Sequence, residues 1–170
     1  MTNPILLDIP NELKHQSLQS EDEKIEVICA ETFQAERPFM HDAAFYHGHQ
    51  TMLPWQGENV KECVSAVFIL WKGISSEVEE AVKSRDKKST VVLMEKGIRL
   101  FLECLYWSND MPVNIKDGIF ARELKIKPFN GLERLLYILS RPGGYHSYRQ
   151  LDELFKELEK QFAIKMIKRK

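Results

Sequence analysis

The stretch from Thr90 to Trp107, TVVLMEKGIRLFLECLYW, limits the folds open to this chain more than any other. Wound at about 3.6 residues per turn, it puts Glu95, Lys96, Arg99 and Glu103 within about 100° of arc, and almost everything else in it is apolar. A helix with so narrow a polar stripe is buried on most of its surface, so other helices must surround it. Gly97 lies opposite the stripe. A mid-helix glycine costs about 1 kcal/mol against alanine, which close approach of a neighbour would offset. Glu95, Arg99 and Glu103 have the i, i+4 spacing of a solvated ladder.

The chain offers four helices with matching apolar faces. In residues 21–36, Ile25, Ile28, Cys29, Thr32 and Phe33 recur at helical spacing behind a capping box, Ser20-Glu21-Asp22-Glu23. Residues 59–72 carry Val60, Val64, Val67, Phe68 and Trp71 on one face and stop at Gly73. Residues 131–140 carry Leu132, Leu135, Leu136 and Leu139 behind an Asn130–Glu133 cap. Residues 148–166 follow a Ser147–Gln150 cap and the break Arg141-Pro142-Gly143-Gly144. A short polar helix opens at Ser76-Glu77-Val78-Glu79, Thr90 can cap the central helix, and residues 113–127 read as loop with a short helix. The expected fold is all-α: a single compact bundle of about six or seven helices around the buried helix 90–107. Residues 1–19 form an N-terminal arm, and 20–170 the helical domain.

Composition narrows the class. The 170 residues are 44% hydrophobic and 29% charged, as in a soluble globular protein. Only 8 glycines and 7 prolines argue against a many-turned β-sandwich. The opening MTNPILLDIPNEL lacks the basic and apolar regions of a signal peptide, and no uncharged run approaches the roughly 18 apolar residues of a membrane span. Cys29, Cys63 and Cys104 are widely spaced, with neither a disulfide framework nor a CxxC metal pattern, which suits a cytoplasmic protein.

Charge is unevenly spread. Residues 1–58 hold 10 acids and 3 bases, whereas 121–170 hold 6 acids and 12 bases. Packing of the acidic end near the basic one accounts for this. The basic tail Lys165, Lys168, Arg169 and Lys170 also suits phosphates, so nucleic-acid binding through the C-terminal helix is one alternative function.

Two further segments could carry chemistry. His41, Asp42, His47 and His49 lie in an irregular stretch, and imidazole with carboxylate suits zinc, iron or nickel. A metal-binding role there is the other alternative. Against it, Pro38 and Gly48 have the placement of a short helix's start and end. Arg141, Tyr145, His146 and Arg149 gather at the start of the last helix, where free N–H groups attract anions. Trp55, after Leu53-Pro54, is either a partner anchor or a core plug.

No GxGxxG, Walker loop, GxSxG or reactive cysteine is present, so the sequence nominates no cofactor and no catalytic residue. The leading expectation is a non-enzymatic protein that binds an unknown protein partner or itself, without a membrane. The run KPFNGLERLLYILSRPGGYHSYRQLDEL (127–154), preceded by LYWSN (105–109), resembles the YpoC-like proteins of Gram-positive bacteria. That resemblance implies a compact helical bacterial protein with no established activity, and it brings no catalytic residues.

Overall fold

The computed structural model describes residues 3–18, 24–120 and 122–169. Within them lie a two-stranded antiparallel sheet, β1 (Ile5–Asp8) and β2 (Lys24–Val27), a 3-10 turn at Asn11–Leu13, and five α-helices. The helices are α1 (Met40–Tyr46), α2 (Asn59–Lys83), α3 (Lys87–Trp107), α4 (Gly131–Ser140) and α5 (Tyr145–Lys168). The protein is mostly helical, but the expected all-α bundle of six or seven helices is not what forms.

Two differences account for the correction. The first is β2, which stands where a helix over 21–36 is expected. Ile25 and Val27 stand two apart, the spacing of one strand face, as Ile25 and Ile28 stand three apart, that of a helix face, and their branched side chains favour a strand. β2 pairs with β1 in the register Ile5↔Val27 to Asp8↔Lys24, and Lys24 Nζ closes the end on Asp8 Oδ1 at 3.0 Å. Cys29 then turns the chain at φ 51°. The proposed capping box at 20–23 lies outside the described residues.

The second is α2, which runs unbroken through Gly73 and absorbs the expected polar helix. Its buried stripe continues from Trp71 past the glycine to Ile74, Val78 and Ala81, a spacing that keeps one face on α3. That burial outweighs the roughly 1 kcal/mol cost of the glycine. Ser75 Oγ bonds back to the Lys72 carbonyl at 2.8 Å, so these serines belong to a helix interior.

Helix α3 is central, as its sequence requires, with twelve buried residues from Thr90 to Trp107. It starts earlier than expected: Asp86 accepts the Ser89 N–H at 3.1 Å, whereas Thr90 is buried one turn inside. Gly97 admits the ring of Trp71, and a Cβ there would overlap it. Trp71 in turn stacks on Phe155 of α5, with centroids 4.6 Å apart. So α2, α3 and α5 meet around one glycine. Helix α4 is joined to α5 by residues 141–144 and packs on it through Leu135 and Ile138, both fully buried. Among the described residues of 113–127 there is no helix, so the short helix expected there is not found. They cross the bundle as loop, with Asn109 Nδ2 and Oδ1 holding Ile126 at 2.8 and 2.9 Å. None of the described helices is long and apolar enough to cross a membrane.

Candidate functional site

The histidine segment folds into α1 and its exit, and its side chains diverge. His41 is buried, with Nε2 accepting the Gln34 N–H at 3.0 Å, Nδ1 2.9 Å from Thr51 Oγ1, and its ring against Phe33. Burial pushes its pKa down to about 4. Asp42 points the other way, into the core, where Oδ2 accepts Trp107 Nε1–H at 3.1 Å and Val113 N–H at 2.8 Å. Burial pushes its carboxyl up to about 6, against the pull of those two bonds. His47 reaches the Asp8 carbonyl at 2.7 Å, and its ring lies 6.5 Å from that of the exposed His49. Among the described residues no group of three or more His, Cys, Asp or Glu is placed to hold a metal ion.

Glu103 is the residue that sequence reasoning missed. Its ladder spacing suggests solvent, but it is 2% exposed and accepts the Phe39 N–H at 2.8 Å. Burial, reinforced by the charge of Asp42, pushes its carboxyl well above the ordinary range. The one hint in the sequence is its place inside RLFLECLYW, where apolar neighbours fill both sides. Asp42 and Glu103 are shut away from solvent, and their hydrogen bonds clamp α1 to α3.

Trp55 is 5% exposed and packs edge-on to Phe45 and beside Trp107. It is a core plug in this structure. Arg141, Tyr145, His146 and Arg149 are all exposed around the start of α5. No side chain caps that helix; Ser147, expected to do so, sits inside the first turn with its hydroxyl buried and unpartnered.

Two surface features remain. The first is the outer side of α4. Leu132 and Leu136, expected in the core stripe, are 42% and 45% exposed, because α5 covers only the arc of Leu135 and Ile138. Tyr137 at 42%, Phe129 just before the helix at 79% and Tyr145 just after it at 54% are exposed as well. The second is a cleft of about 650 Å³ where the chain after α3 meets the end of α5. Met111, Ile126 and Ile164 supply its apolar lining, and Lys125, Lys165, Lys168 and Arg169 its cations. Asp110, held at φ 61°, receives Lys165 Nζ at 2.8 Å and Arg169 Nη2 at 2.7 Å. Burial raises the Asp110 carboxyl, but these two cations outweigh it and hold the group below its ordinary range. Lys170, the remaining residue of the basic tail, lies outside the described residues.

A profile described as YpoC-like protein matches residues 61–170. The chain belongs to this family. It is also 35% identical over 112 residues to a Bacillus subtilis (strain 168) protein described as uncharacterized protein YpoC, covering 65% of this chain and 67% of that one. No solved structure matches. The family region contains α4, α5 and the whole cleft, whereas the histidine segment and Trp55 fall before it.

Proposed function

We propose that this chain is a non-enzymatic protein that acts by binding another protein through the outer side of α4. The observation that carries this reading is the exposure of Phe129, Leu132 and Leu136 together. Single exposed apolar residues are ordinary, but a run of large ones rimmed by polar groups is characteristic of protein-binding surfaces. Tyr137 and Tyr145 add the aromatic, half-polar character that such surfaces favour. Support also comes from the core, where the buried acids are engaged in holding α1 to α3. The surface lies inside the family region, which suits a role shared with the Bacillus relative.

A photo-crosslinking residue placed at Leu132 tests the reading in the protein's native cells. The expected result is one defined protein adduct, absent when the probe stands at exposed Lys61 and lost on Leu136→Glu. An adduct of twice the chain's mass identifies self-association. No adduct, or equal yields from both positions, overturns the proposal.

A further inference from the structure

We infer that the cleft between the α3 exit and the end of α5 is a separate docking site for an acidic linear peptide that carries an apolar side chain. This goes beyond the α4 surface and does not depend on it.

The argument starts from charge. Among the described residues four cations and two acids, Asp110 and Glu123, line the cleft, so it is net positive. The cations differ in their engagement. Lys165 is bound to Asp110 and to the Ser108 carbonyl, and Arg169 to Asp110. Lys125 and Lys168 are exposed and have no ion pair or hydrogen bond among the described residues. Asp110 therefore fixes one pair of cations as part of the wall and leaves the other pair for a ligand. Cations at a helix C-terminus complement the macrodipole, which explains Lys165, Lys168 and Arg169 on α5. It does not explain Lys125, which comes from the opposite wall.

The apolar lining then selects the class of ligand. Ile164 is 53% exposed, and Ile126 and Met111 are partly covered beside it. A purely ionic ligand would leave this surface wet, whereas a leucine-like side chain would cover it at about 25 cal/mol per Å². Nucleic acid fits less well. Among the described residues no aromatic side chain lines the cleft to stack on a base. The volume lies within the range of about 300–1,000 Å³ found for ligand pockets. The Lys127 backbone exchanges two hydrogen bonds with the Gln161 side chain, at 3.0 and 2.8 Å, and ties one wall to the other. The site is thus formed before anything binds.

The test is fluorescence polarisation with the full chain and a labelled peptide alternating glutamate and leucine. Saturable binding is expected, weakening about tenfold or more between low and high salt, as a contact between exposed charges must. The double variant Lys125→Glu, Lys168→Glu should lose binding about tenfold or more, while its melting temperature falls only slightly, by what one reversed charge at the end of α5 costs. Ile164→Asp should weaken the same peptide, and a glutamate–serine peptide should bind less tightly to the wild type. No binding, binding that survives the double lysine variant, equal affinity for the glutamate–serine peptide, or tighter binding of single-stranded DNA would each overturn the inference. The α4 variant Leu136→Glu should bind the peptide normally, so failure at one surface is read separately from failure at the other.

Discussion

The carboxylate of Glu103, near the C-terminal end of the central helix, accepts the backbone N–H of Phe39 at 2.8 Å from a residue 64 positions earlier. Phe39 holds a left-handed backbone, φ 70°, at the start of α1. Removing the acceptor strands a buried N–H and opens a hole beside it. Glu103→Ala is therefore expected to cost about 3 kcal/mol, and Glu103→Gln, which keeps an acceptor oxygen, less than about 1 kcal/mol. Urea unfolding of the two variants checks this. Equal losses would mean that volume, and not the hydrogen bond, is what matters at this position.

His41 and Asp42 are consecutive and buried, and their titrations oppose each other. The folded-state pKa of Asp42 is raised from 3.8 to about 6, so the stability it contributes is full at acid pH and is lost as the pH rises through that window. That of His41 is lowered from 6.5 to about 4, so its contribution is full above the window and is lost as the pH falls through it. Between about pH 4 and 6 the two slopes partly cancel. Asp42→Asn leaves the histidine slope, so this variant should gain on wild type by about 3 kcal/mol across the window. His41→Gln leaves the aspartate slope and should fall behind by a similar or smaller amount. Denaturant midpoints at three pH values decide it, and three parallel profiles would contradict the assignment.

How much of this was legible depended on whether a pattern had one physical reading. Helix α3 was legible because four charges in one narrow arc leave a helix little choice but burial. Residues 24–28 were not, because Ile25 stands at strand spacing from Val27 and at helix spacing from Ile28, and pairing with Ile5–Asp8, a contact distant in sequence, decided for the strand. Gly73 reads as a stop only if the residues beyond it have no core to meet, and Ile74, Val78 and Ala81 do. Glu103 has the spacing of a surface ladder, and only the N–H of Phe39 makes its burial tolerable. The cleft was hidden for a different reason: the basic tail stands out in sequence, but Met111, Lys125 and Ile126, which line the cleft with it, come from distant segments that do not.

Helix α4 shows the same limit in a measurable form. Its sequence displays an apolar arc wider than one neighbour can cover, without saying which leucines stay outside. The structure assigns Leu135 to the core and Leu132 to the surface. Leu135→Ala should cost about 2–5 kcal/mol, whereas Leu132→Glu should change stability by less than about 1 kcal/mol. Thermal unfolding separates them. A large loss for Leu132→Glu would show that this side of the helix is covered in solution.

Gly97 offers the sharpest test of the packing around α3. On helix propensity alone, Gly97→Ala should stabilise the chain by about 1 kcal/mol. The new Cβ would instead overlap Cζ3 of Trp71, lie 3.0 Å from its Cε3 and 3.2 Å from Leu151 Cδ2. The ring cannot readily withdraw, since Phe155 stacks on it and its Nε1–H donates to Asp152 Oδ1 at 3.1 Å. Overpacking should therefore win, with a net loss of about 2 kcal/mol. If the clash with the ring is the cause, the same substitution made on top of Trp71→Leu should cost much less, giving a coupling of about 1 kcal/mol or more in a double-mutant cycle. Additive losses would mean that the glycine is required for some reason other than the close approach of Trp71.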